Sequence, residues 1–139
     1  MRETGKKLIE DFEEIVREHE NQLFGISLFN EAVKHLYKDD KNILETTENH
    51  FQQIISRGIE AIQEAKQVLG KVKEGVWEVK RLACIEFPPI HGPGLDEMTE
   101  RASILVKTYD KLFPDRPHEL TLTEEEIELL VAESAEHWQ

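Results

Sequence analysis

The sequence predicts an all-α chain, a long antiparallel helical hairpin followed by two shorter helices, in a four-helix-bundle-like arrangement. Two observations predict it. Apolar residues recur three and four apart over two long stretches, which is the period of one helix face. The residues that stop a helix are concentrated beyond both stretches, in Glu86-Phe87-Pro88-Pro89-Ile90-His91-Gly92-Pro93-Gly94.

The first stripe runs Ile9, Phe12, Val16, His19, Leu23, Ile26, Asn30, Val33, Tyr37. Its spacings add up to a seven-residue repeat, and Leu8, Ile15, Phe29 and Leu36 widen it along one edge. The pattern predicts one helix over 3–38 with a coiled-coil-like seam toward a partner helix. Gly25 is its weak point, worth up to ~1 kcal/mol against alanine. The polar run 38–42 makes a short turn, and Asn42 with Glu45 three residues on reads as a capping box for the next helix. The second stripe runs Leu44, Phe51, Ile55, Gly58, Ile62, Ala65, Leu69, Val72, Val76, Val79, Ala83 and predicts a helix over 42–84, weakened at Gly58, Gly70 and Gly75. Joined by so short a turn, two helices of this length must be antiparallel neighbours.

The prolines of 86–94 form the connection to a third helix over 95–113, whose stripe is Leu95, Met98, Ala102, Leu105, Tyr109, Leu112. A second loop at 114–118 precedes a fourth helix over 123–138. Thr123 and Glu126 form its capping box and Leu122 with Ile127 its hydrophobic staple. The chain 1–139 reads as a single helical domain. The two short helices are expected to cover one end of the hairpin (3–84). Dimerisation is expected to complete the other, since two-fold assembly is the commonest oligomer.

Charge narrows the function classes. With 29 Asp+Glu against 17 Lys+Arg the net charge is −12, which repels a phosphate backbone, so no direct nucleic-acid partner is expected. The acidity lies at the C-terminal end: after Arg116 there is no Lys or Arg, against Glu119, Glu124, Glu125, Glu126, Glu128, Glu133 and Glu136. No apolar run approaches the ~20 residues needed to span a bilayer, and residues 1–11 lack the apolar core of a secretory signal. A single cysteine, Cys84, forbids an internal disulfide. A cytoplasmic protein without a membrane partner is expected.

The residues able to do chemistry are few. His19 lies on the first seam, where a hydrogen-bonded core histidine is the expected reading and a titratable switch the alternative. Glu31, His35 and Asp39 share a helix face, and the hairpin turn brings His50 about opposite Glu31, making Glu31, His35 and His50 weak candidates for a metal site. The Glu-x-x-His spacing of di-iron bundles is absent. Cys84 and His91 could make a dyad, but no third group orients them and a buried small thiol is expected. No cofactor is expected, since the chain has neither a glycine-rich phosphate loop nor a Gly-x-Ser-x-Gly elbow.

Interaction residues stand out more. Phe87 and Ile90 anchor the stiff proline connection and could present it to a partner. The basic residues Lys66, Lys71, Lys73, Lys80 and Arg81 could face the glutamates of the fourth helix, within one chain or between two. The leading expectation is a non-enzymatic helical interaction or assembly protein that forms a homo-oligomer. The alternative is an acidic inhibitor or immunity-type protein whose Glu124, Glu125, Glu128, Glu133 and Glu136 meet a basic protein partner. A metal-binding bundle ranks third.

Overall fold

In the computed structural model, residues 3–87 and 95–135 are described, and all of their regular structure is helical. Helix α1 spans Glu3–Leu36, α2 Lys41–Lys73, α3 Leu95–Leu112 and α4 Glu124–Ser134, with a 3-10 turn at Val79–Cys84. The chain is all-α, and the two long helices pack against each other and against the shorter ones. Ile90, His91, Glu136 and Trp138 lie outside the described residues.

Both ends of α2 differ from expectation, each for a local reason. The N-cap of α2 is Asp40 and not Asn42: its Oδ1 accepts from the Ile43 N–H at 3.2 Å, and its carbonyl takes the Leu44 N–H at 3.1 Å. At its other end α2 stops at Lys73 instead of continuing to Cys84. Gly75 adopts φ +79°, the left-handed conformation that suits glycine, and closes a Schellman motif. The Val76 N–H reaches the Lys71 carbonyl at 3.0 Å and the Gly75 N–H reaches the Val72 carbonyl at 3.1 Å. Apolar spacing continues past this point, but the helical backbone does not. The start of α4 matches expectation. Thr123 Oγ1 accepts from the Glu126 N–H at 3.2 Å, while Glu126 Oε1 accepts from the Thr123 N–H at 3.0 Å.

The chain divides into two compact units. The first joins α1 up to Glu20 with α2 from Ser56 onward and the 3-10 turn. Here two ion pairs set the register: Glu13 to Lys73 at 3.0 Å and Glu20 to Lys66 at 3.2 Å. The residue numbers climb by seven on α1 and fall by seven on α2, as in an antiparallel coiled coil with charges flanking the seam. Between the flanking charges lie Ile9, Phe12 and Val16 of α1 and Ala65, Leu69 and Val72 of α2. All of these except Leu69 are at most 8% exposed. Lys66 and Lys73 of α2 thus pair with α1 glutamates within their own unit, while Lys80 pairs with Glu78 and Arg81 lies over the Trp77 ring.

The second unit holds α1 from Asn21, α2 up to Ile55, α3 and α4. Here α1 is sandwiched. Its seam face gives Ile26 to a cluster with Phe51 of α2 and Met98 and Ala102 of α3. Its opposite face gives Phe24, Leu28 and Ala32 to a cluster with Leu105 and Tyr109 of α3 and Leu130 and Val131 of α4. Asn30 is buried on the seam with its Oδ1 unpartnered among the described residues. A polar group at such a position costs stability and disfavours slipped registers.

Gly25 is what lets α3 cross α1 so closely. A Cβ built there would stand 3.0 Å from the Ala102 carbonyl oxygen and 3.0 Å from Val106 Cγ2. The residue that weakens α1 by propensity is the point at which a second helix approaches it.

Candidate functional site

In the first unit, Phe87 lies against its own chain. Its ring stacks on His19 with centroids 4.0 Å apart and 8° between planes, and meets Phe12 at 6.4 Å. His19 and Phe12 are seven residues apart on one face of α1, so together they make a shelf for the ring. Phe87 is half-buried there, and serves as an anchor of the chain that leaves the 3-10 turn.

His19 is half-buried, and that burial lowers its pKa from the ordinary 6.5, with Glu18 opposing the shift. Because the folded value lies below the unfolded one, the unfolded chain binds more protons. Stability from this group is complete above pH 6.5 and is lost as pH falls through the folded value. Thermal unfolding of wild type and His19→Leu, compared between about pH 7.5 and about pH 5, checks this. Wild type should lose more melting temperature on acidification than the variant; parallel profiles would remove His19 from the account.

The metal candidates do not converge. Glu31 and His35 line a crevice of about 270 Å³, but Lys34, Lys38 and Glu124 line it too. Glu31 is engaged by Lys34 at 3.7 Å, and two ammonium groups oppose a divalent cation. His50 is exposed and meets the edge of Phe51 at 6.1 Å. Among the described residues no three metal-ligating side chains come together. Cys84 is exposed in the 3-10 turn, not buried as expected: its place beyond Gly75 takes it off the helical stripe.

On α4 the expected acidic face is present. Glu124, Glu125, Glu128 and Glu133 are exposed, while Glu126 is tied to Arg116 and to the Thr123 cap. The bond from the Thr123 backbone holds the Glu126 carboxyl below its ordinary pKa.

A feature not legible in the sequence pins the loop between α3 and α4. The His118 ring lies flat on Phe24, with centroids 4.7 Å apart and 6° between planes. Its Nε2 is 2.7 Å from Asp110 Oδ1 and its Nδ1 is 3.0 Å from Asn21 Oδ1. Tyr109 is buried beneath and donates its hydroxyl to the Pro117 carbonyl at 2.8 Å, and burial raises its phenol pKa above the ordinary value. With both ring nitrogens of His118 engaged, the group is a clasp for the loop.

No helix among the described residues is long and apolar enough to cross a membrane. Compared with known proteins, the chain matches no family model, no curated protein and no solved structure.

Proposed function

We propose that this chain is a non-enzymatic helical assembly protein of the cytoplasm, self-associating through the N-terminal part of α1. The observation that carries the reading is an exposed apolar stripe on the first unit. Leu8 is 51% and Ile15 42% exposed, seven residues apart on α1. Side chains one heptad apart share a helix edge and form a seam that a further helix can fill. In this unit α1 is flanked by α2, the 3-10 turn and Phe87, which leave these two side chains uncovered. A second copy fits the stripe without any new sequence. An antiparallel two-fold sets Leu8 of each copy against Ile15 of the other, so one patch completes itself.

The test is the double substitution Leu8→Glu/Ile15→Glu. Both side chains point to solvent in the single chain, so helix content by circular dichroism should hold. Burying the exposed half of each of the four side chains stabilises the dimer by about 0.7–1.5 kcal/mol apiece, so placing carboxylates there should weaken association by at least roughly 100-fold. Sedimentation at matched concentrations reads the shift. Unchanged association would exclude this edge.

A second reading rests on α4. Its exposed glutamates 124, 125, 128 and 133 make no ion pair among the described residues, which suits an acidic inhibitor or immunity-type protein for a basic partner. Reversing Glu124, Glu125 and Glu128 to lysine should abolish capture of a basic protein from host lysate while the fold persists. Equal capture by both forms would discard this reading.

A further inference from the structure

We propose that the groove between α1 and α3 in the second unit binds the carboxylate end of a small amphipathic acid. The inference is independent of self-association, which uses residues of the other unit. The groove has a volume of about 310 Å³ and follows the crossing that Gly25 permits. Its floor is apolar: Gly25 and Ile26 from α1, and Ala102 and Val106 from α3. Such a floor suits an alkyl or aryl body and rejects a hydrated ion.

The rim defines which head group the body carries. Asp and Glu account for 29 of 139 residues, yet none of the nine residues lining this groove is acidic. One of them is Lys107, an exposed ammonium with no ion pair among the described residues. Beside it, Asn21, whose amide lies 3.0 Å from His118 Nδ1, adds a polar side chain to the rim. A cation and a polar side chain above an apolar floor are complementary to one carboxylate carried on an apolar body. In so acidic a chain a cationic ligand would find many better places, so a groove with a cation and no carboxylates selects for an anion.

The occupant is a free acid and not a lipid in a bilayer, because the floor lies between two packed helices where a planar surface cannot reach. The probe is sodium decanoate, titrated into the full-length protein and followed by amide chemical shifts. Decylammonium, of the same chain length, serves as the charge control. Decanoate should saturate below its micelle concentration, with shifts centred on residues 21–26 and 99–107. Decylammonium should bind at least about tenfold more weakly, the factor expected when one charge-assisted hydrogen bond is removed. Lys107→Gln should weaken decanoate by a similar factor. Ser103→Phe, which fills the groove from an exposed position on α3, should abolish binding. Melting curves confirm that both variants keep the fold. The proposal is overturned by an unsaturable decanoate titration, by equal binding of decylammonium, or by wild-type affinity in both variants. Co-sedimentation with anionic vesicles in the absence of decanoate binding would equally overturn it.

Discussion

Replacing Gly25 by leucine is expected to cost about 3 kcal/mol, the upper range for forcing a side chain into a packed contact. The reason lies in what surrounds the glycine. Even a lone Cβ would stand 3.0 Å from the Ala102 carbonyl oxygen, a backbone atom that cannot turn aside. Val106 and the Ala102 methyl crowd the same point at 3.0 and 3.2 Å. Leucine removes glycine's helix penalty of about 1 kcal/mol, so the packing cost must exceed that gain for the net effect to be destabilising. Because the clash begins at the Cβ itself, against a backbone oxygen, it does whichever way the rest of the leucine turns. Urea unfolding measures the loss. The control is Gly70→Ala, where nothing lies within 4 Å of a new Cβ. That change should stabilise by up to about 1 kcal/mol through helix propensity alone. If Gly25→Leu were neutral, the close crossing of α1 and α3 would be wrong.

Tyr109→Ala is expected to cost about 3–5 kcal/mol, as for other large aromatic side chains removed from a core. Tyr109 is fully buried, meets Phe24 edge-on at 4.9 Å and Phe113 at 5.3 Å, and holds the Pro117 carbonyl. Two roles are combined there, and Tyr109→Phe separates them. It keeps the ring and removes the hydrogen bond, so its cost should be about 1 kcal/mol. Calorimetric melting of the three proteins reads both values. A phenylalanine variant as unstable as the alanine one would mean that the loop clasp, and not the ring packing, holds this unit together.

How much of this fold is legible in the sequence depends on the range of the interaction. Helix existence and the α4 cap are local: periodicity and the Thr123–Glu126 pair are sufficient to specify them. The end of α2 is also written locally, in Gly75, although apolar spacing runs on beyond it. Glycine in a left-handed conformation takes precedence over periodicity because the helical backbone bonds end there. The second face of α1 is missed when a single stripe is followed. Phe24, Leu28 and Ala32 recur four apart opposite the seam, and a helix apolar on two faces is packed on two sides. By contrast, the His118 clasp joins residues 97 apart in sequence, and the Phe87 shelf joins the seam of α1 to the end of a turn. No local pattern encodes such pairs. The lysines of α2 meet glutamates on α1 because heptad geometry sets flanking charges of antiparallel helices side by side, whereas charge counts alone do not distinguish one acidic helix from another.

The candidate sites follow the same division. Glu31, His35 and His50 have the right chemistry at the right ends of the hairpin, but Lys34 and Lys38 share the crevice that Glu31 and His35 line. Neither the exposure of Leu8 and Ile15 nor the acid-free lining of the α1–α3 groove could be counted from composition, since both depend on which faces the neighbouring helices cover.

Self-association through α1 is tested most directly by sedimentation equilibrium of the untagged chain across a wide concentration range, with Leu8→Glu/Ile15→Glu run beside it. Wild type should sediment as a species of twice the 16.2 kDa chain mass, and the variant at single-chain mass at the same concentrations. A wild-type chain that sediments at 16.2 kDa throughout, or a variant that remains dimeric, would contradict it.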